Sequence, residues 1–321
     1  METKQAAVKN RRRRRKKRKA SLYLLLLTYG IVILCLVVKH SRPEEAAVPT
    51  QTGVSAAPTG VDYDESVYTQ ISMTQAQRAQ GDLALVNASH PFDAAAVTDL
   101  QTVYSGKTDN YNVKDVELQV QPHVLSHLND WLDAFSENTG LRDVNVVAGY
   151  RTREEQQALY DNAVATKGAE HARNYLAVPG CSEHHTALAV DFDLYDAGSG
   201  TSSDFDGKGQ YQWLLQHAWE YGFIQRYAPD KSELTGIAYE SWHFRYVGVP
   251  HARQMTQLGL CLEEYTDYLR GFPFGGKHLF VSCGDKTYEV YFCAGDTVYV
   301  PLHGSYTVSG NNDDGYIVTV G

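Results

Sequence analysis

Between residues 122 and 138 apolar side chains recur at helical spacing. Val124, Leu125, Leu128, Trp131, Leu132 and Phe135 fall near one face, which predicts an amphipathic helix. Over residues 186–195 the period shortens to two. Leu188, Val190, Phe192 and Leu194 share one face, and Ala189, Asp191 and Asp193 the other, which predicts a half-buried strand. Between them, "VNVVAGYRT" (144–152) reads as a β-branched strand ending at Gly149, followed by a helix over 153–165. Further along, the pattern predicts a helix over 210–223 ending at Gly222, an aromatic-rich strand over 239–248 and a closing helix over 254–271. Ahead of the first helix, residues 72–79 open a short helix, and 82–93 read as a short strand with a turn at His90-Pro91. Strands and helices alternate without regular βαβ spacing, so the predicted class is α+β. After Gly271 the character changes. Residues 278–320 hold short alternating strands separated by Gly/Asp turns, which predicts a small all-β appendage over 272–321.

The N-terminal pattern is of another kind. Residues 20–38 carry no charge, and twelve of the nineteen are Leu, Ile or Val. As a helix they would reach roughly 28 Å, close to the thickness of a bilayer's hydrocarbon core. Residues 11–19, "RRRRRKKRK", precede them directly. An apolar span behind a basic block predicts a transmembrane helix with residues 1–19 as a cytoplasmic tail. The span exceeds the usual core of a cleaved signal, and no A-x-A site follows it directly, so an anchor is the expected form. Beside an apolar span the basic block reads as a topology signal rather than a nucleic-acid tail. Residues 39–61, rich in Ala, Pro, Thr and Ser, read as a flexible stalk. The main folded domain then spans 62–271, on the outer face of the membrane.

Charge sharpens this division. The chain has 321 residues and a formal charge of −9, yet residues 1–19 hold eleven of its 29 Lys and Arg and one of its 38 Asp and Glu. The remainder is strongly acidic, which argues against nucleic acid as its partner. Of five cysteines, Cys35 lies in the apolar span; Cys181, Cys261, Cys283 and Cys293 show no C-x-x-C spacing, so a cysteine zinc site is not expected. Disulfides are permitted outside a membrane. A Cys283–Cys293 bridge is at odds with a hairpin turn at 284–286, a Cys181–Cys261 bridge has no support in the pattern, and free thiols stay open.

Three short stretches carry candidate chemistry. In "SEHHTALAVDF" (182–192), His184 sits in the loop before a strand, and Asp191 lies on the strand face opposite Val190 and Phe192. Imidazole and carboxylate suit Zn²⁺, although taken alone the pair is explained more simply by a solvated histidine in a strand-entry loop. In "ESWH" (240–243), His243 would supply a third ligand and Glu240 a general base beside it, with a fourth position left open as a catalytic zinc requires. In "GYR" (149–151), Arg151 follows a strand end, where its planar fork could bind an oxyanion or a terminal carboxylate, or pair with Glu154 or Glu155.

Taken together, the stretches resemble the M15 metallopeptidases of the VanY-like D-alanyl-D-alanine carboxypeptidase type. The pattern S-x-H-x-x-G-x-A-x-D is met by Ser182, His184, Ala189 and Asp191. E-x-W-H-x-R-[YF]-V-G is met by Glu240, Trp242, His243, Arg245, Tyr246, Val247 and Gly248. S-G-Y-R-S-x-x-x-Q is met by Gly149, Tyr150, Arg151 and Gln156, with Thr152 for the second Ser and Ala148 for the first. "LALVNASHPFD" resembles the family's opening segment, so the likeness covers roughly residues 75–270. It implies a small antiparallel sheet with flanking helices, of the hedgehog/DD-peptidase-like kind. It implies zinc held by His184, Asp191 and His243, Glu240 as general base, and Arg151 on the substrate carbonyl or carboxylate. Ser182 and Gln156 come with the motifs as substrate contacts, and Tyr150 and Trp242 as pocket walls. The implied reaction removes the terminal D-alanine from a peptidoglycan stem peptide at the outer face of a bacterial cell membrane. An L,D-carboxypeptidase, a D,D-dipeptidase, or a non-catalytic wall-binding or sensory module are the alternatives. Two positions depart from the pattern: Ala187 stands where the family has Gly, and His185 where it often has Gln. In the C-terminal region, the turn Asn311–Asp314 raises the question of a calcium site.

Overall fold

The computed structural model describes residues 65–93 and 97–321. The expected basic tail, membrane span and stalk lie outside them. Among the described residues no helix is long and apolar enough to cross a membrane.

In chain order the strands are β1 (Tyr68–Ser72), β2 (Gln101–Thr102), β3 (Asn112–Val113), β4 (Gln119–Val120), β5 (Val144–Ala148), β6 (Ala189–Asp196), β7 (Thr201–Asp204), β8 (Phe223–Gln225) and β9 (His243–Tyr246). They are followed by β10 (Leu279–Cys283), β11 (Lys286–Ala294), β12 (Thr297–Pro301), β13 (Tyr306–Gly310) and β14 (Gly315–Val320). The longer helices are α1 (Pro122–Thr139), α2 (Arg153–Lys167), α3 (Ala169–Tyr175), α4 (Gln212–His217), α5 (Val249–Leu258) and α6 (Leu262–Leu269). The class is mixed α and β with small sheets.

The central sheet runs β3-β5-β6-β9-β8, with β7 also on β6. It is antiparallel except at β3, which pairs parallel with β5, so the expected purely antiparallel sheet is corrected there. One face is covered by α1. Its predicted apolar stripe is wholly buried against Val146, Val190, Phe192, Phe223 and Phe244. Pro122 opens the helix, where its missing N–H is no loss, and Gly140 closes it in the left-handed conformation (φ 76°). The helix α2 starts with a capping box. The Thr152 hydroxyl accepts from the Glu155 amide at 3.2 Å, and the Glu155 carboxylate accepts from the Thr152 amide at 2.8 Å. Thr152, at the place where the family pattern has Ser, thus caps α2.

Several expected boundaries move, each for a local reason. Residues 82–93 form no strand beyond an isolated Asn87–His90 bridge, because carbonyls free for a ladder are used elsewhere: those of Asp82 and Ala84 accept from Arg245 at 3.0 and 2.9 Å. The closing helix is two helices, since Gly259 ends α5 in the left-handed region (φ 65°) and a new cap at Cys261 and Glu264 starts α6. The helix expected over 210–223 keeps α-geometry only at 212–217, with 3₁₀ turns on either side. The strand expected from 239 begins at His243, because Glu240 and Ser241 turn away to bond the carbonyls of Tyr227 and Phe205.

Strands β10, β11, β14 and β13 form a four-stranded antiparallel sheet in that order. These C-terminal strands are not set apart. Leu279, Val281, Val290 and Ile317 share one core with Met255, Leu262, Tyr265 and Leu269 of α5 and α6, and β1 pairs with β12. The turn 311–314 is organised by protein groups. Asn311 Oδ1 accepts from the amides of residues 313, 314 and 315, while Arg270 pairs with both Asp313 and Asp314, so those carboxylates face a cation already. Cys181, Cys261, Cys283 and Cys293 all carry free thiols.

A buried histidine ties the two parts together. His251 of α5 places Nδ1 2.9 Å from the Tyr265 hydroxyl and Nε2 2.9 Å from the Thr319 hydroxyl. Burial pushes its pKa down to about 4. The unfolded chain protonates near the ordinary histidine value of about 6.5. The contribution is therefore complete above that pH, declines as pH falls, and stops declining near 4. We expect this group to cost the fold up to roughly 3 kcal/mol on acidification. Urea unfolding at pH 7 and 4.5 should show a smaller loss for His251→Gln than for wild type; equal losses would refute it.

Candidate metal centre and active site

The register of the central sheet builds the site. Asp191 on β6 is the direct cross-strand partner of His243 on β9 and also pairs with Ala148 at the end of β5. Directly opposed residues of an antiparallel pair point to the same face, here the face away from α1. His184 comes from a 3₁₀ turn, Glu183–Thr186, that leads into β6. Its backbone is tied to the end of β5, since the Arg151 amide donates to the His184 carbonyl at 3.1 Å. Gly149 lets the β4 segment approach the end of β5 from the other side: a Cβ there would lie 2.4 Å from the Gln119 carbonyl oxygen.

The result is a compact triad. His184 Nε2 lies 3.2 Å from Asp191 Oδ2, and His243 Nδ1 lies 2.8 Å from Asp191 Oδ1. One ligand atom from each of the three falls within 4.8 Å of the others. The remaining nitrogens are engaged from behind: His184 Nδ1 donates to the Gly149 carbonyl at 2.7 Å, and His243 Nε2 faces Glu183 Oε2 at 3.4 Å. Each ring therefore turns its other nitrogen towards Asp191. Two imidazoles and one carboxylate, oriented from behind, are a donor set that fits Zn²⁺ with a further position open. Burial pushes the Asp191 carboxyl up, but His184 and His243 outweigh it and hold it below the usual carboxylate range. Burial pulls His243 down, yet Asp191 and Glu183 raise it to about 9.

His185 is excluded as a competing ligand. Its Nδ1 donates to the Arg151 carbonyl at 2.7 Å and its Nε2 accepts from the Gly180 amide at 3.0 Å, so both nitrogens are used. Ala187 adopts the left-handed conformation that the family glycine would take freely (φ 58°, ψ 20°). The turn survives at a cost of about 1 kcal/mol, and its buried methyl does not displace His184.

A cavity of about 350 Å³ opens over the triad. Glu240, Arg151, Gln156, Ser182 and Trp242 all line it with His184, Asp191 and His243. Tyr150 is half-buried and does not belong to that lining. Burial pushes the Glu240 carboxyl up to about 8 against His243 and Arg151, with Asp191 adding to the rise. A divalent cation at the triad would draw it back down. Arg151 donates from Nη1 to Gln156 Oε1 at 2.8 Å, and Gln156 donates to the Ala177 carbonyl at 2.7 Å. Gln156 thus holds the arginine, whose alternative pairing with Glu155 is taken by the helix cap. The cavity follows α2 from Gln156 to Lys167, roughly 16 Å at 1.5 Å per residue.

Three buried residues at the site carry no signal in the sequence pattern. Glu183 sits inside the quoted loop, Arg226 precedes Tyr227, and the Tyr227 ring lies against His243 at a centroid distance of 4.8 Å. A signal exists for one neighbour: Arg245 is two residues beyond His243 on the same strand and so faces the same side.

The family described as VanY, D-alanyl-D-alanine carboxypeptidase, matches residues 117–249. A D-alanyl-D-alanine carboxypeptidase of Enterococcus faecium is 33% identical over 255 residues, covering 78% of each chain. The bifunctional D-Ala-D-Ala dipeptidase and D-Ala-D-Ala carboxypeptidase VanXYC of Enterococcus gallinarum is 39% identical over 158 residues, 48% of this chain and 81% of its own. Among solved structures, the vancomycin resistance D,D-dipeptidase VanXYg, in complex with a D-Ala-D-Ala phosphinate analogue, superposes with a TM-score of 0.70 at 31% identity. That match covers 79% of this chain and 98% of that one. The chain belongs to the VanY family of D-alanyl-D-alanine carboxypeptidases.

Proposed function

We propose that this chain is a zinc-dependent carboxypeptidase that removes the terminal D-alanine from peptidoglycan stem peptides. The observation that carries the reading is one cavity holding a three-ligand donor set, a buried carboxylate and a half-buried arginine. The E. faecium and E. gallinarum relatives supply the substrate class. His184, Asp191 and His243 would hold the ion, which when bound supplies Lewis acidity towards the scissile carbonyl and the attacking water. Glu240 takes the proton of that water and returns it to the departing D-alanine nitrogen. Arg151, fixed by Gln156, meets negative charge on the carbonyl oxygen or the terminal carboxylate. Trp242 and Ser182 shape the pocket around the last residue.

The pattern of residues 1–38 supports placing this activity outside a bacterial membrane, anchored by residues 20–38 with the N-terminus in the cytoplasm. A second reading, D,D-dipeptidase activity, is favoured by the likeness to VanXYg; the length of the cavity along α2 favours a longer peptide. The zinc-loaded full chain should be given a stem pentapeptide ending D-Ala-D-Ala, a tetrapeptide ending in one D-Ala, and free D-Ala-D-Ala. We expect D-alanine release from the pentapeptide. Release from the tetrapeptide alone would make it an L,D-carboxypeptidase, and release from the dipeptide alone a D,D-dipeptidase. Zinc bound without turnover of any of the three would point to a wall-binding or sensory module.

A further inference from the structure

Behind the triad lies a buried ion network that the reaction itself does not use. Glu183 has no exposed side-chain surface. Its Oε1 accepts from Arg226 Nε at 2.7 Å and from Arg245 Nη1 at 2.9 Å, while Oε2 faces His243 Nε2 at 3.4 Å. Arg226 turns its two remaining nitrogens onto Glu263 of α6, a bidentate pair at 2.9 and 2.7 Å. Glu263 also accepts from Asn87 Nδ2 at 3.1 Å. Arg245 donates to the backbone of Asp82 and Ala84. One carboxylate therefore links a ring of the triad to two segments far away in sequence.

Packing alone does not explain this arrangement. An apolar residue at 183 would fill the space, whereas a carboxylate there requires two buried guanidinium groups to neutralise it. Its second oxygen is left for the histidine. A carboxylate behind an imidazole fixes which nitrogen carries the proton and where the other one points. With Nε2 directed at Glu183, Nδ1 of His243 is the nitrogen that faces Asp191, and it is the one that would ligate an ion once its proton has left.

We infer that Glu183 is a positioning residue for His243, and that Arg226 and Glu263 hold Glu183 in turn, so that α6 and the Asn87 segment set the geometry of the metal site from outside the cavity. The inference rests on the proposed zinc reading. It concerns binding of the ion, so its first readout is metal affinity rather than turnover. Zinc affinity of the full chain would be measured by competition with a chromophoric chelator, beside the visible spectrum of the Co²⁺-loaded protein. Wild type, Glu183→Gln, Glu263→Gln and Glu264→Gln would be compared. Glu264, next to Glu263, pairs with Lys231 and accepts from the Cys261 amide at the start of α6, a capping bond that glutamine can also make, and it touches none of the network.

We expect Glu183→Gln to weaken zinc binding about 10–100-fold and to shift the Co²⁺ spectrum. Glu263→Gln, milder because its side chain is partly exposed, should move both in the same direction, and Glu264→Gln should leave both unchanged. Should Glu183→Gln fail to fold, Glu263→Gln alone decides. Wild-type affinity and spectrum in every variant that folds would overturn the inference while leaving the zinc enzyme intact. A wild-type chain that binds no zinc would sink both.

Discussion

Glu240→Gln is expected to lower kcat/KM for D-alanine release by roughly 10²–10⁴-fold with zinc content unchanged. Glutamine keeps the shape and one acceptor oxygen but cannot take a proton from water. Glu240 is buried, with 6% of its surface exposed, and it lines the same cavity as the triad. Its backbone position is fixed, since its amide donates to the Tyr227 carbonyl at 3.2 Å and its own carbonyl accepts from the His243 amide at 3.4 Å. The substitution should therefore act on chemistry and not on the loop. Release of D-alanine and metal content, measured on the same preparation, check this. A drop in zinc content matching the drop in rate would mean that Glu240 serves the metal, not the proton.

Replacing a member of the triad should act in the opposite order, on metal first. Zinc sites in small peptides are worth about 10–16 kcal/mol at neutral pH. Removing one of three protein ligands should then cost on the order of 3–5 kcal/mol, or two to four powers of ten in affinity. Asp191→Ala is the sharpest case, because Asp191 touches both histidines. His185→Gln is the internal control: its nitrogens bond the backbone at Arg151 and Gly180, and it should keep its zinc. Equilibrium dialysis at micromolar free zinc separates the outcomes. An Asp191→Ala protein that retains stoichiometric zinc would remove this triad as the metal site.

Much of the site is legible in the order of the amino acids. The period-two alternation around Asp191 places that carboxylate opposite Val190 and Phe192, and the fold keeps it so, with Val190 and Phe192 buried in the α1 core. The helix over 122–139 is readable from its apolar stripe because one strongly periodic face meets one flat sheet. Boundaries fail where a tertiary bond displaces a local preference. Residues 82–86 look like a strand, but Arg245, 163 and 161 positions later in the chain, takes the carbonyls of Asp82 and Ala84.

The sequence by itself determined the candidate ligand types, their spacing along a turn and two strands, and the candidate base three residues before His243. These are local properties, set by side-chain chemistry and by the alternation of a strand. Tertiary structure alone decided which atoms meet. Cross-strand register puts Asp191 against His243, backbone bonds at Arg151 and Gly180 choose His184 over His185, and the network through Glu183, Arg226 and Glu263 closes behind the triad. The physical reason is that a buried charge is tolerated only where an opposite one is brought to it, and those partners come from segments that no local pattern connects.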